Sequence, residues 1–152
     1  MKIVHLLPAL EQGGVESVVC DLVRCLRDQG SGIGDQVESV VVSKGGRLVA
    51  RIEAAGGRHV ALDLKSKNPL TYFSRAWKLC KILRAEQPDL VCVHSRVPAW
   101  LFIWANRTLG LKWISYAHGA NSISRYSAVM TKGDLVVTPS RFLADYLKTN
   151  SE

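Results

Sequence analysis

A chain of 152 residues that is 47% hydrophobic and 22% charged has the make-up of one compact domain with its own core, and two independent domains would be cramped in it. Lys and Arg number 20 against 13 acidic residues, and the formal charge of +7 draws anionic partners: phosphates, acidic lipid headgroups or nucleic acid. The apolar run at the N-terminus is too short for a secretory signal, and no segment approaches the ~20 apolar residues of a membrane span, so the expectation is a cytoplasmic protein.

Strand-like apolar runs are predicted at Lys2 to Leu7, Gln36 to Val42, Arg58 to Leu62, Leu90 to Val93, Lys112 to Tyr116 and Leu135 to Thr138. Helical patterns separate most of them. In the first, Val15, Val18, Val19, Leu22, Val23 and Leu26 recur on one helical face, and Gly30 and Gly32 are expected to end it. Gln29 to Gln36 then reads as a flexible loop. Further helices are expected from about Arg47 to Ala55, Leu70 to Glu86 and Ala99 to Leu109, with a last one capped by Ser140. Pro88 stops the third helix. This alternation predicts an α/β fold: a doubly wound, Rossmann-like, mostly parallel sheet with helices on both faces.

Ligands of such sheets gather at the carboxyl ends of the strands, near the switch in strand order. The loop after the first strand carries Gly13 and Gly14 just before a helix, where backbone N–H groups and the helix dipole favour an anion. It holds no Gly-x-Gly-x-x-Gly and no Gly-Lys-Ser/Thr, which counts against a dinucleotide or P-loop site. The fourth strand delivers His94, Ser95 and Arg96, an imidazole, a hydroxyl and a guanidinium, to the same rim. A plainer reading has His94 and Ser95 satisfying loop carbonyls and capping the next helix. The fifth strand adds His118, with Gly119 and Asn121 just beyond it. No Gly-x-Ser-x-Gly elbow supports a hydrolase, and His5 and His59 read as strand residues rather than zinc ligands, so no metal is expected.

The third helix interleaves Phe73, Trp77, Cys80 and Leu83 with Arg75, Lys78, Lys81 and Arg84, with Lys65 and Lys67 just before it. That pattern fits an apolar face laid on the sheet with a cationic rim, open to anionic lipid headgroups. Cys20, Cys25, Cys80 and Cys92 lie in apolar segments without a Cys-x-x-Cys pair and read as small buried hydrophobes. No nucleic-acid motif or stacking platform is present.

Taken in order, Leu7-Pro8-Ala9-Leu10-Glu11-x-Gly13-Gly14-Val15-Glu16, Val41-Val42-Ser43-Lys44-Gly45-Gly46-Arg47-Leu48-Val49, Ser66-Lys67-Asn68-Pro69-Leu70-Thr71, His94-Ser95-Arg96-x-Pro98-Ala99-Trp100, His118-Gly119 and Val136-x-x-Pro139-Ser140-Arg141-Phe142 resemble the amino-terminal domain of bacterial family 4 glycosyltransferases, above all those of lipopolysaccharide and polysaccharide synthesis. The resemblance covers nearly the whole chain. It implies one half of a GT-B fold, residues 1–152 being the acceptor-side domain, and a retaining, metal-independent transfer from a nucleotide sugar to a lipid-linked or polysaccharide acceptor at the inner face of the cytoplasmic membrane. It further implies that Gly13 and Gly14 meet the donor diphosphate and that His118 is the catalytic residue near the transferred sugar. Glu16, His94, Ser95, Arg96, Gly119 and Asn121 would lie toward the acceptor or the cleft.

The resemblance implies that the family's carboxyl-terminal donor-binding domain, which supplies an Arg/Lys pair for the diphosphate and a Glu-x7-Glu element for the nucleotide sugar, is expected to be absent from residues 1–152. Gly30 to Gln36 reads as an insertion, and the segment after Gly119 is short for the family. Missing a cationic clamp of that kind costs several kcal/mol of barrier, on the order of a thousandfold in rate, so the chain alone is expected to bind nucleotide sugar feebly and to turn over negligibly. Two other readings stay open: a non-catalytic acceptor-binding or split-enzyme module completed by a partner chain, and a flavodoxin-like domain for another anion.

Overall fold

A computed structural model describes residues 1–33, 36–120 and 124–150. In chain order these form β1 (Lys2–Leu6), α1 (Gly14–Ile33), β2 (Glu38–Ser43), α2 (Val49–Ala54), β3 (Arg58–Ala61), α3 (Tyr72–Glu86), β4 (Leu90–Val93), α4 (Arg96–Asn106), β5 (Trp113–Tyr116), β6 (Leu135–Val137) and α5 (Arg141–Asn150). Short 3-10 turns at Pro69–Thr71 and Ser127–Thr131 precede α3 and β6. The six strands form one sheet in the order β3-β2-β1-β4-β5-β6, and every pairing is parallel. The expected doubly wound α/β fold is therefore present, with its switch point between β1 and β4.

The two faces of the sheet carry separate cores. Val4, Leu6, Val40, Val42, Val91 and Val93 pack with Ala76, Leu79 and Leu83 of α3 and with Leu101, Phe102 and Ala105 of α4. Val41 and Leu7 pack with Val19, Cys20 and Val23 of α1 and Ile52 of α2. Alternation along β2 thus feeds both layers, as strands buried on both faces require.

Several sequence expectations need correction. Helix α1 runs to Ile33, through Gly30 and Gly32, so most of the loop expected at Gln29 to Gln36 is helical. Glycine inside a helix costs only about 1 kcal/mol against alanine, and no proline breaks the ladder. Val18 is 41% exposed, while Cys20 takes a place in the core beside Val19 and Val23. The apolar stripe of α3 is rotated from the expected one. Ala76, Leu79 and Leu83 are buried, whereas Phe73 and Trp77 face outward at 63% and 52% exposure. Small Ala76 lets the helix lie close to the sheet, and the bulky aromatic rings are left on the other side. Arg75, expected on the cationic rim, is buried. The cysteines divide, Cys20 and Cys92 buried, Cys80 half-buried and Cys25 exposed. Ser140 does cap α5, its Oγ accepting from the amide of Leu143 at 3.2 Å.

Candidate functional site

Parallel register places three histidines on one face of the sheet. His5 in β1 stands level with Val41 of β2 and Cys92 of β4. His94 lies two residues beyond Cys92, so it returns to the same face, one pleat higher. Val93 pairs with Ser115, which sets Tyr116 level with His94, and His118 is again two residues further on. From β1 through β4 to β5 each imidazole therefore stands one step higher, and the rings form a diagonal column. His5 Nδ1 lies 3.3 Å from His94 Nε2, and His94 Nδ1 lies 3.1 Å from His118 Nε2. The three rings stack in sequence at centroid separations of 5.5 and 5.4 Å, with Tyr116 4.8 Å from His94.

Burial decides the charge of this column. His5 is fully enclosed, and desolvation lowers its pKa to about 4. His94 is held well below the usual imidazole range, first by burial and then by the neighbouring rings of His5 and His118. His118 is half-buried, and its pKa is lowered by desolvation while the Glu16 carboxylate pulls it back up. At neutral pH the column is a chain of neutral rings, each with one N–H. His5 Nε2 meets no hydrogen-bond partner among the described residues. A buried bare nitrogen is better tolerated than a buried unpaired N–H, so His5 donates from Nδ1 to His94 and His94 donates from Nδ1 to His118. His118 then accepts at Nε2 and keeps its own proton on Nδ1 as a donor.

His94, Ser95, Arg96, His118 and Gly119 line a single cavity of about 180 Å³, closed by Val15 at the first turn of α1. Two helix N-termini, those of α1 at Gly14 and α4 at Arg96, border it with their positive dipole ends. Arg96 donates to Ser127 Oγ at 3.2 Å and pairs with no carboxylate among the described residues, so its charge is open to an anion. The Ser95 hydroxyl makes no capping bond to α4, against the plainer reading of that residue.

With this cleft in view, comparison with known proteins is decisive for the family. The profile of Glycosyltransferase Family 4 matches residues 12–151. This chain belongs to Glycosyltransferase Family 4. No curated protein matches it. Among solved structures, a glycosyltransferase from Rickettsia africae ESF-5 superposes with a TM-score of 0.77 at 25% identity, over 99% of this chain and 39% of that one. The lipopolysaccharide outer core galactosyltransferase WaaB in its apo form gives a TM-score of 0.74 at 15% identity, over 100% of this chain and 43% of that one. Anabaena Alr3699/HepE, in complex with UDP and glucose, gives 0.74 at 15% identity, over 99% of this chain and 41% of that one. The family 4 domain described here thus spans about two-fifths of the length of these proteins.

The loop that opens α1 is held in this family 4 domain by the segment after β2. Leu10 N donates to Gly45 O and Leu48 N to Leu10 O, at 2.9 and 2.8 Å. Gly46 sits at φ +146°, and a Cβ there would run into the Leu10 carbonyl, so glycine is required for this close approach. Gly14 faces open space, but the surface above Gly13 is taken by the Glu16 carboxylate, which folds back over the turn. That carboxylate stands where the sequence places an anion. Asn121 lies outside the described residues. His5 was missed as a site residue because its type and spacing read as an ordinary strand; only the register with Cys92 reveals it.

No group of three or more His, Cys, Asp or Glu side chains is placed to hold a metal ion among the described residues. The histidines bond one another instead of converging on a point. No helix among the described residues is long and apolar enough to cross a membrane.

Proposed function

We propose that this domain is the acceptor-side half of a retaining GT-B glycosyltransferase that moves a sugar from a nucleotide-sugar donor to a lipid-linked or polysaccharide acceptor of the cell envelope, as in lipopolysaccharide synthesis. The observation that carries the reading is the cleft at the carboxyl ends of β4 and β5, where His118, His94, Ser95 and Arg96 meet two helix N-termini. Within it His118 is the catalytic residue, its Nδ1–H offered to an oxygen of the transferred sugar and its ring aimed by His94 and, through it, His5. Gly13 and Gly14 receive the donor diphosphate once Glu16 swings aside, helped by the dipole of α1. Ser95, Arg96 and Gly119 face the acceptor, a role that the sequence also assigns to Asn121. The reaction needs no cofactor or metal in this reading, and a second domain supplies the grip on the nucleotide.

The outward face of α3 fits a cytoplasmic protein working at the inner membrane surface. Phe73 and Trp77 are exposed there, Leu70 is exposed in the 3-10 turn just before the helix, and Lys81 lies 3.8 Å over the Trp77 ring. Apolar rings fringed by lysines match an anionic bilayer.

Transfer itself is the test. The whole reading frame that includes this domain is assayed with radiolabelled UDP- and GDP-sugars on extracted glycolipid, and the product anomer is read by NMR. A retained anomer whose formation is abolished by His118→Ala is the expected result. An inverted anomer, or unchanged transfer by the variant, refutes the proposed mechanism.

A further inference from the structure

A second cavity, of about 270 Å³, opens between α3 and α4 next to the histidine cleft. Tyr72, Val97, Trp100 and Tyr126 line it together with Lys67 and Arg75. The polar tips of two of the aromatic rings are already spent. Tyr72 Oη donates to Trp100 O at 2.9 Å, and Trp100 Nε1 donates to Tyr126 O at 3.1 Å. What remains for a ligand is flat apolar ring surface, the kind that accepts the C–H face of a sugar ring.

The charges in this cavity are less well satisfied. Arg75 is only 6% exposed, yet its guanidinium donates to neutral oxygens alone: Thr71 Oγ1, Asp63 O and Asn68 O. Asp63 Oδ1 accepts from the amides of Lys65 and Ser66, and the carboxylate attracts Arg75 through space without a hydrogen bond to it. Three of the five guanidinium N–H groups are thereby used, and a buried cation without a bonded anion is costly. Lys67 has no hydrogen bond or ion pair among the described residues. The volume is at the small end for ligand sites, which suits one ring rather than an oligosaccharide. Continuity with the cleft is direct. Arg96 lines the cleft and holds its guanidinium 5.4 Å over the Tyr126 ring, while its neighbour Val97 lines the second cavity.

We propose that this cavity seats an anionic sugar, a sugar acid or a sugar phosphate, belonging to the acceptor glycan. Its ring packs on Trp100 and Tyr126, its charge lies between Lys67 and Arg75, and the next unit of the glycan passes Arg96 toward His118. The acceptor role rests on the glycosyltransferase reading; the preference for an anionic sugar does not.

The experiment is a set of titrations of this chain, ¹⁵N-labelled, tracked through the Trp100 indole N–H and the Tyr126 amide. The probes are methyl β-glucuronide, glucose 6-phosphate, methyl β-glucoside and inorganic phosphate. Both anionic sugars are expected to shift the two signals saturably and about tenfold more tightly than the neutral glucoside, a factor ordinary for one charge-assisted pair. Inorganic phosphate leaves Trp100 unmoved. Lys67 is exposed, so Lys67→Ala folds normally, and it brings the anionic preference below about threefold without weakening the glucoside. Equal affinity for charged and neutral sugars, no saturable shift at Trp100, or a preference that survives Lys67→Ala overturns the proposal. The transfer assay on the whole reading frame separates this seat from the reading it rests on: retained transfer that depends on His118 with no saturable anionic-sugar shift sinks the seat alone, whereas the stated shifts with transfer unchanged by His118→Ala leave the seat standing and sink its acceptor role.

Discussion

Acid should destabilise this domain through the histidine column, and His5 sets the size of the effect. Its pKa falls from 6.5 to about 4 on folding because the ring is enclosed and stays neutral. The unfolded chain therefore binds the extra proton first. The contribution to stability is whole above the unfolded value, declines as pH drops below it, and levels off once the folded pKa is passed. A difference of this size corresponds to about 3 kcal/mol, a large share of the roughly 5–15 kcal/mol that holds a typical domain together. His94 is depressed in the same direction and steepens the loss. His5→Asn removes the titrating group while its amide takes the place of Nδ1 toward His94, so it is a fair control. Urea unfolding from about pH 7.5 down to about pH 4 should cost the parent about 3 kcal/mol more than the variant. If the two proteins lose stability in parallel, His5 is not the buried neutral group described here.

Glu16→Gln removes the carboxylate that raises the His118 pKa, so the His118 C2–H titration monitored by NMR should move to lower pH. Gly46→Ala forces a Cβ into the Leu10 carbonyl at φ +146° and should cost roughly 2–3 kcal/mol in denaturant unfolding, whereas Gly14→Ala, which faces open space, should be neutral or slightly stabilising. Ser140→Ala loses the bond to the Leu143 amide and should cost about 1 kcal/mol, read as fraying of α5 in hydrogen exchange. Phe73→Ser with Trp77→Ser should cut sedimentation with phosphatidylglycerol vesicles several-fold without lowering stability, because both side chains are mostly exposed.

Strand positions were legible because the strands are buried on both faces and read as short apolar runs between turn signals. Leu90–Val93 is the clearest case, expected and found with the same ends. The face of a helix was harder. In α3 the heavy aromatic residues dominate any reading of hydrophobic periodicity, yet Ala76 sits at the sheet, because closeness of approach, not side-chain size, decides which stripe packs. The end of α1 failed for a related reason: Gly30 and Gly32 carry a stop signal, but a 20-residue helix spreads their cost over many hydrogen bonds. At the site, His94, Ser95, Arg96, His118 and Gly119 were legible from their positions just past the carboxyl ends of β4 and β5, and all line one cavity.

What local reading does not supply is register, and register is where this site is made. His5 lies 89 positions from His94 and by sequence reads as a strand residue, yet its ring is the buried anchor of the column. Its part emerges only from the β1–β4 pairing that sets it beside Cys92. The second cavity has the same origin, since Tyr72, Trp100 and Tyr126 come from α3, α4 and the loop before the second 3-10 turn and are joined by hydrogen bonds to backbone carbonyls across 28 and 26 positions. A period-two strand that slipped by a single residue would turn His5 to the α3/α4 face and break the bond to His94. The column therefore depends on the sheet's register as strictly as the core does, and a change in β1 that leaves the fold intact but shifts its pairing would take the His5 ring from beneath His94 while the His94–His118 bond, set by β4 and β5, stays.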